Sequence, residues 1–328
     1  MKKETFLLLG GAGYIGNIFA LKLIDENQNV IIVDNLSTGN KDFIHPNVKF
    51  YNLDHNNLND LELVFKENKI NTVALFSALI KVGESVQKPI EYYKNNLNGT
   101  INVLQLMDKY KVNKLIFSSS AAVYGQGEGQ KINEDAIKIP INPYGKSKLM
   151  CEQIIQDYAK TNPLFKYGIL RYFNVAGADR LLRSGLYSKT NQYSLLIPVI
   201  SNAILNNEKI VIFGNDYKTS DKTCVRDYIH VSDLANAHYL LNYYLDNNPS
   251  DVFNAGANSV HSNLEIIKQF EKILNKKIDF QYGPRRAGDP DFLAANTKKI
   301  QEKLNFYPKY SLEDMIKDDL NWRKKINK

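Results

Sequence analysis

Residues 6–16 read FLLLGGAGYIG, a short apolar run followed at once by a glycine-rich turn. The apolar run predicts a buried strand at residues 6–9, and the periodic apolar positions after the turn predict a helix over residues 14–27. Glycines between a strand and a helix permit a tight turn, and they let backbone N–H groups reach a pyrophosphate at the helix N-terminus. Gly10, Gly13 and Gly16 stand at the spacing that this geometry requires. The stretch therefore predicts a dinucleotide-binding turn.

A carboxylate follows the second predicted strand. The apolar run VIIV occupies residues 30–33, and Asp34 follows it, 21 residues beyond Gly13. A carboxylate at this distance can accept hydrogen bonds from both hydroxyls of an adenosine ribose, and it would repel a 2′-phosphate. A glycine-rich turn alone could be a plain turn without a ligand. The strand, the helix and the acid together favour a bound cofactor, with NAD preferred to NADP.

The first half of the chain alternates short apolar strands with helical segments. This alternation predicts an α/β fold, a Rossmann-type doubly wound parallel sheet with helices on both faces. After about Gly177 the order loosens. We expect an NAD-binding domain at residues 1–177 and a smaller α/β substrate domain mainly at residues 178–328, with segments near residues 226–256 returning to the first sheet. Further strands are predicted at residues 72–76, 114–117, 168–171, 210–213 and 252–254, and further helices at 58–65, 90–110, 143–160, 195–205, 233–245 and from Ser311 onward.

Composition excludes several classes of protein. The chain has 328 residues, 44% apolar and 23% charged, as is ordinary for a globular protein. Cys151 and Cys224 have no CxxC partner and the histidines form no HxH or HxxxH pair, so neither a disulfide framework nor a metal site is predicted. The net charge of +7 is spread along the chain, which argues against nucleic acid and suits small anionic ligands. The sequence shows no signal peptide and no membrane span, so we expect a cytoplasmic enzyme.

A tyrosine, a lysine and a serine provide candidate catalytic groups. Tyr144 and Lys148, in the stretch YGKSK, are four residues apart and so lie on one face of a predicted helix. A free tyrosine has a pKa near ~10, and lowering it to ~7 takes about 4 kcal/mol, which a nearby ammonium and the positive nicotinamide ring of NAD⁺ can supply. Ser118 and Ser120 come just after the predicted strand at residues 114–117, at the sheet edge where ligands bind. The Ser120 hydroxyl can bridge a substrate oxygen and Tyr144.

With these motifs, the chain resembles the extended short-chain dehydrogenase/reductase family over essentially its whole length. Within that family it is similar to the sugar-nucleotide epimerases, and the stretches FGNDY (213–217), VRDYIHV (225–231) and PRRAGDP (284–290) are the more specific ones. The other matching segments are residues 10–16, 33–36, 82–86, 92–93 with 95–96, 117–120, 143–148 and 170–174. The resemblance implies a tightly bound NAD and a UDP-sugar substrate.

The resemblance also implies roles for individual residues. The NAD site would consist of Gly10, Gly13, Tyr14, Ile15, Gly16, Asp34, Asn35, Asp54, His55, Phe76, Asn95, Ser118, Tyr144, Lys148 and Tyr172. The UDP-sugar would contact Ser120, Tyr144, Phe173, Asn174, Leu196, Phe213, Arg226, Tyr228, Arg286, Asp289 and Leu293.

Among these residues, Asp54 and His55 would lie beside the adenine. Asn174, Arg226 and Arg286 would contact the diphosphate, and Asp289 the uridine ribose. Simpler alternatives remain: Asp54 could be a turn or cap residue, Phe76 and Tyr172 could be plain core, and the two arginines could form surface ion pairs.

Three positions depart from the family's pattern. Many members have a lysine directly after the leucine that Leu79 matches, whereas this chain has Ile80 there and Lys81 next to it. Leu195 stands where the family often has Asn or His near the substrate. Leu293 occupies a wall position that varies with sugar size, so the acceptance of acetamido sugars is left open.

The implied reaction interconverts UDP-glucose and UDP-galactose. Tyr144 removes the 4-hydroxyl proton while C4 gives hydride to NAD⁺, and the 4-keto sugar turns its other face before hydride returns. A UDP-N-acetylglucosamine or UDP-glucuronate 4-epimerase is the alternative on the same scaffold. A 4,6-dehydratase is less favoured, because Ala121 and Ala122 follow Ser120 where that family has an Asp-Glu pair. A non-catalytic NAD-binding regulator is disfavoured because both Tyr144 and Lys148 are present. The resemblance further implies a homodimer paired through the helices at residues 90–110 and 143–160.

Overall fold

The computed structural model describes residues 3–126, 129–286 and 289–327. The strands are β1 (Thr5–Leu9), β2 (Asn29–Val33), β3 (Lys49–Tyr51), β4 (Thr72–Leu75), β5 (Lys114–Ser120), β6 (Lys166–Tyr172), β7 (Asn174–Ala176), β8 (Ile210–Phe213), β9 (Val225–His230), β10 (Asp251–Ala255), β11 (Val260–Ser262), β12 (Phe280–Gly283) and β13 (Phe292–Leu293). The helices are α1 (Tyr14–Asp25), α2 (Leu58–Glu67), α3 (Val82–Gln87), α4 (Pro89–Lys109), α5 (Pro143–Thr161), α6 (Leu196–Asn206), α7 (Val231–Asn247), α8 (Asn263–Leu274), α9 (Lys298–Leu304) and α10 (Leu312–Ile326).

The largest sheet has seven parallel strands in the order β10-β6-β5-β4-β1-β2-β3. This order reverses beside β1, as in doubly wound nucleotide-binding folds, and it confirms the predicted fold class. Strand β10 pairs with β6, from Asp251 opposite Gly168 to Ala255 opposite Tyr172. A segment from late in the chain therefore completes the sheet.

Both faces of this sheet are buried, which explains the nearly continuous apolar runs of its strands. Side chains of β1 alternate between the faces. Phe6 and Leu8 pack in one core with residues of α1 and α7, and Leu7 and Leu9 pack in the other with residues of α2, α4 and α5.

The rest of the chain forms a smaller α/β layer beside the carboxyl ends of the sheet strands. Strand β9 pairs with β7, β11 and β13, while β8 pairs with β12. Helices α6, α8 and α10 share a third core that includes Ile200, Phe270 and Met315. The predicted cap at Ser311 begins α10, where Ser311 and Asp314 form a capping box.

No helix within the described ranges is long and apolar enough to cross a membrane. Over those same ranges, no cluster of three or more His, Cys, Asp or Glu side chains is arranged to hold a metal ion.

Candidate active site

The glycine-rich turn between β1 and α1 leaves no room for larger side chains. Gly10 has φ of +79°, and a Cβ there would lie 2.6 Å from the backbone nitrogen of Ser77. A Cβ on Gly16 would lie 2.5 Å from the carbonyl oxygen of Gly10. Gly13 precedes α1 without a side-chain cap, so Tyr14 and Ile15 open the helix with N–H groups available to an anion. These features fit a dinucleotide pyrophosphate.

Asp34 is held in place by the turn that it faces. Its Oδ2 accepts a hydrogen bond from the Ala12 N–H at 3.0 Å, and its Oδ1 accepts one from the Leu36 N–H at 2.8 Å. Burial raises the pKa of this carboxyl, while the two backbone bonds and the Lys189 ammonium act in the opposite direction. The carboxylate that the sequence assigns to the adenosine ribose is therefore preoriented.

Three more predicted cofactor residues lie together beyond the end of β2. The Asn35 amide donates to Asp54 Oδ2 at 3.3 Å, and the Asn56 amide donates to Asn95 Oδ1 at 3.1 Å. Asp54 also accepts hydrogen bonds from Asn56. Asp54 thus makes the turn contacts that the simpler alternative requires, and it also lies beside Asn35 and Asn95.

His55 packs against helix α4. Its ring is buried, its Nε2 has no hydrogen-bond partner, and a Cβ on Gly99 would lie 2.2 Å from that nitrogen. Burial lowers the pKa of His55 to about 4. The imidazole is therefore neutral at physiological pH, as an uncharged neighbour of an adenine would be.

Phe76 follows β4 and Tyr172 ends β6, with β5 between these two strands, and both side chains contact one buried histidine. The Phe76 ring centroid lies 5.1 Å from that of His238, and the Tyr172 hydroxyl hydrogen-bonds with His238 Nε2. Tyr172 belongs to the core around α1 and α7, and Phe76 packs against it. These contacts agree with the plain-core alternative and leave the cofactor role of both residues a prediction.

The three serines lie inside strand β5, and the prediction that the strand ends at residue 117 is wrong. Ser118, Ser119 and Ser120 pair with Leu170, Arg171 and Tyr172 of β6. Polar side chains read as loop in the sequence, but the neighbouring strand supplies backbone partners for them. Ser120 is consequently the last residue of a central strand.

Tyr144 and Lys148 lie in the first two turns of α5. The Asn142 side chain caps this helix by accepting a hydrogen bond from the Gly145 N–H at 2.9 Å. The Tyr144 hydroxyl lies near the Ser120 side chain. Lys148 Nζ donates to the Ser118 carbonyl oxygen at 2.7 Å and lies 4.9 Å from the centre of the Phe117 ring. The structure therefore brings Ser118, Ser120, Tyr144 and Lys148 together.

Burial is the largest influence on the pKa values of Tyr144 and Lys148. It raises the pKa of Tyr144, and the nearby Ser120 side chain opposes that rise. Burial also lowers the pKa of Lys148 to about 8. The sequence predicts that the Lys148 ammonium lowers the pKa of Tyr144, but in the protein alone burial raises that pKa and the opposing influence comes from Ser120. A further positive charge beside the phenol, such as that of an oxidised nicotinamide ring, would favour the phenolate.

A second group of predicted residues lies around β9 and β13. Arg226 is buried, and its guanidinium donates to Asp289 Oδ1 at 2.5 Å. The Tyr217 hydroxyl donates to the other oxygen of Asp289 at 2.9 Å. The Arg286 guanidinium is exposed and lies 4.3 Å from the centre of the Phe213 ring. Arg226 is therefore in an ion pair in which the arginine is buried and Asp289 is partly exposed.

The remaining predicted substrate residues lie in three places. Asn174 begins β7 opposite Tyr228, and Leu293 lies opposite Arg226 in β13. Leu293 and Phe173 join an apolar cluster with Ala121, Val123, Tyr124, Ile132 and Ala295, which begins directly after Ser120. Leu196 begins α6 and packs against the third core instead.

Sequence reasoning missed Asn96, which orders the segment after β4. The Asn96 side chain accepts from the Leu79 N–H at 2.8 Å, donates to the Leu79 carbonyl at 3.1 Å and donates to Ser147 Oγ at 2.9 Å. The neighbouring Asn95 was singled out from the same doublet, and nothing in the sequence ranks one above the other. Ile80 and Lys81 are both exposed, and the Lys81 carbonyl accepts from the Tyr92 hydroxyl at 2.8 Å.

The parallel sheet, its glycine-rich turn and the Ser-Tyr-Lys group define a nicotinamide-dependent enzyme of the short-chain dehydrogenase type. The family model described as the NAD dependent epimerase/dehydratase family matches residues 6–256, and the chain belongs to this family. This membership confirms the prediction of NAD as the cofactor.

Several characterised relatives are similar over nearly the whole chain. The UDP-glucose 4-epimerase of Lactobacillus helveticus is 42% identical over 323 residues, which cover 97% of this chain and 96% of the relative. The structure of UDP-glucose 4-epimerase from Bifidobacterium longum in complex with NAD⁺ and UDP has a TM-score of 0.93 at 38% identity, covering 98% of each chain. The UDP-Glc/GlcNAc 4-epimerase of Campylobacter jejuni has a TM-score of 0.84 at 38% identity, covering 98% of this chain and 99% of that one.

Proposed function

We propose that the protein is a UDP-glucose 4-epimerase that interconverts UDP-glucose and UDP-galactose. The observation that carries the proposal is the buried Tyr144 beside Ser120, with Lys148 one helical turn further along α5 and donating to the Ser118 carbonyl oxygen at 2.7 Å. This group lies at the sheet edge that also carries the glycine-rich turn. The full-length similarity to UDP-glucose 4-epimerases supports the same reaction.

Tyr144 serves as the acid–base group. Its phenolate takes the proton of the sugar 4-hydroxyl and later returns it, and a positioned group of this kind contributes about 10²- to 10⁴-fold to the rate. Ser120 holds the 4-oxygen beside Tyr144, and the Lys148 ammonium stabilises the phenolate. Bound NAD⁺ supplies the hydride acceptor and, once reduced, the donor. Because the burial of Tyr144 excludes water, its proton goes to and from the sugar.

The second group of residues anchors the UDP moiety. Arg226 and Arg286 neutralise the diphosphate with Asn174 beside it, and Asp289 accepts from the uridine ribose hydroxyls. The Arg226–Asp289 ion pair already orients both side chains, so binding replaces part of an existing contact. The sugar stays loosely held against the cluster that contains Leu293 and Phe173. A firm diphosphate anchor and a loose sugar let the 4-keto sugar present either face.

A second candidate is a 4-epimerase that also accepts N-acetylhexosamines. The observation that favours it is the residue at 293, a leucine of intermediate size on the wall of the apolar cluster after Ser120. The similarity to a UDP-Glc/GlcNAc 4-epimerase is consistent with this broader range. A UDP-glucuronate 4-epimerase has no observation of its own in its favour.

We also propose the organisation expected from the sequence. Residues 1–177 with α7 and β10 bind NAD, and the rest of 178–328, including β9, mainly binds the UDP-sugar. Two copies pair through α4 and α5, whose apolar side chains Ile90 and Met150 are 75% and 40% exposed. The enzyme works in the cytoplasm, in agreement with two buried cysteines that form no disulfide. Sedimentation at micromolar concentration should give a dimer, and a monomer would contradict the pairing.

The reaction can be tested with purified protein and three substrates in parallel. UDP-galactose, UDP-N-acetylgalactosamine and UDP-galacturonate are each incubated with the protein, and the products are separated by chromatography. We expect UDP-glucose from the first substrate, with little or no product from the other two. Tyr144→Phe provides the inactive control. Product from UDP-galacturonate alone, or no product at all, would overturn the proposal.

A further inference from the structure

A buried ion pair that the reaction does not use lies beneath the catalytic group. The guanidinium of Arg171 in β6 donates two hydrogen bonds to Glu152 in α5, at 2.9 Å to Oε1 and 2.6 Å to Oε2. The side chains are 2% and 1% exposed. The Ser119 hydroxyl donates to Glu152 Oε1 at 2.5 Å, and Arg171 also donates to the Tyr124 hydroxyl at 2.7 Å.

This ion pair connects to the catalytic group along both of its elements. Glu152 is one helical turn beyond Lys148 on α5, so the two side chains share a face of the helix. Ser119 lies in β5 between Ser118, whose carbonyl accepts from Lys148, and Ser120, whose side chain lies near Tyr144. The Glu152 carboxylate therefore joins the helix that carries the base to the strand that carries the serine.

We propose that Glu152 is a positioning residue that holds α5 against β5 and β6 and keeps the buried Lys148 in its ammonium form, with Arg171 as the counter-ion of Glu152. This inference rests on the proposed function, because it assigns a partner to the Tyr144–Lys148 pair. Buried carboxylates are rarely retained without a partner. Here Glu152 is ion-paired with Arg171 and is also one helical turn from the Lys148 ammonium.

The charges around Lys148 support this assignment. Burial lowers the pKa of Lys148 to about 8, and the Cys151 thiol and the Glu152 carboxylate oppose that fall. Burial raises the pKa of the Cys151 thiol, whereas Glu152 is held in an ion pair with Arg171. The other titratable groups that face Lys148, Tyr144 or Glu152 come from several elements: His55 before α2, Tyr92 on α4, Tyr124 and Lys138 in the loop before α5, and Tyr167, Arg171 and Tyr172 on β6.

Removing Glu152 and removing Arg171 should shift the pKa of Lys148 in opposite directions. Glu152→Gln removes a buried anion one helical turn from the ammonium, so the pKa of Lys148 falls by about one unit. The alkaline limb of kcat against pH, where Lys148 loses its proton, moves to lower pH by the same amount. Arg171→Gln leaves Glu152 without its counter-ion. The pKa of Lys148 and the alkaline limb of kcat should then both move to higher pH, by a smaller amount than they fall in Glu152→Gln. A merely structural role would lower kcat in both variants without moving the limb in opposite directions.

The pKa of Lys148 can be measured without turnover. Protein labelled with ¹³C at lysine Cε, free of NAD, is titrated by NMR, and the Lys148 signal is identified by its loss in Lys148→Met. The double variant Glu152→Gln/Arg171→Gln removes both charges and avoids an unpaired buried ion. If Glu152→Gln alone fails to fold, the double variant should still show a lower pKa of Lys148. Asp319→Asn, which breaks the equally buried Asp319–Arg323 pair in α10, is the matched control and should leave the limb and the Lys148 titration unchanged.

Two results would overturn the inference. One is an unchanged Lys148 titration in Glu152→Gln and in the double variant. The other is an alkaline limb that moves in the same direction in Glu152→Gln and Arg171→Gln. A wild-type protein without epimerase activity whose Lys148 titrates as expected would instead contradict the proposed function, so the two failures are distinguishable.

Discussion

Replacing Gly99 by alanine tests the packing of His55 against helix α4. A Cβ at this position would lie 2.2 Å from Nε2 and 2.3 Å from Cδ2 of the buried imidazole. Overpacking of this kind costs about 1–3 kcal/mol, whereas alanine gains about 1 kcal/mol over glycine inside a helix. We therefore expect Gly99→Ala to lower the free energy of unfolding by up to roughly 2 kcal/mol. The displaced ring should also reduce the amount of NAD that copurifies, because His55 is predicted to lie beside the adenine.

A double-mutant cycle isolates this contact. Without the imidazole the clash disappears, so Gly99→Ala in a His55→Ala background should stabilise the protein by up to ~1 kcal/mol. The free energy of unfolding of all four NAD-free proteins is measured by urea titration followed by circular dichroism. Bound NAD is measured from the absorbance of the cofactor released on denaturation. A Gly99→Ala protein that is more stable than the wild type and keeps its full NAD content would refute the reasoning.

The other predictions concern the base, the cofactor, the sugar pocket and pH. Tyr144→Phe should lower kcat by about 10²- to 10⁴-fold in the UDP-galactose assay with NAD content unchanged, and wild-type turnover would contradict its role. Asp34→Ala should raise the affinity for NADPH relative to NADH by roughly 10- to 100-fold in binding titrations, because it removes the anion that repels a 2′-phosphate; an unchanged ratio would count against the assignment. Leu293→Ser should raise turnover of UDP-N-acetylglucosamine by about 10- to 100-fold, unless the wild type already accepts both sugars equally. Folding lowers the pKa of His55 from its ordinary value of 6.5 to about 4. Between these two pH values the unfolded chain binds a proton at His55 that the folded chain does not. The fold therefore loses stability as the pH falls through this window. Between pH ~6.5 and ~5 the free energy of unfolding of His55→Gln should therefore fall by about 1–2 kcal/mol less than that of the wild type. Equal falls in the two proteins would show that the imidazole is not buried.

The nucleotide half of the site could be predicted from sequence because its residues are close along the chain. The spacing from Gly10 to Gly16 and on to Asp34 lies within one strand-helix-strand unit, and local geometry fixes what each residue faces. Tyr144 and Lys148 are separated by one helical turn, so their proximity also follows from helix geometry alone. These predictions needed no knowledge of tertiary structure.

The remaining contacts depend on tertiary structure and could not be predicted from the residues alone. Arg226 and Asp289 are brought together by the pairing of β9 with β13, and β13 has only two residues, too few to show an alternating pattern. The resemblance assigned roles to both residues but gave no indication that they contact each other. Glu152 and Arg171 were not predicted because a charged residue on a helix or strand usually faces solvent, and only the packing of α5 on the sheet buries them.

The late arrival of β10 has a consequence for how the chain folds on the ribosome. Strand β6 is a bare sheet edge until Asp251–Ala255 emerge, roughly 80 residues after β6 has been synthesised. At ~5–20 residues per second, the nascent chain exposes this edge for about 4–16 s, during which it can pair with another nascent chain. Helix α7, which covers α1, emerges in the same interval. Cotranslational folding of the nucleotide-binding half is therefore coupled to translation of most of the substrate half, and a chain terminated near residue 177 should aggregate rather than yield a smaller NAD-binding protein.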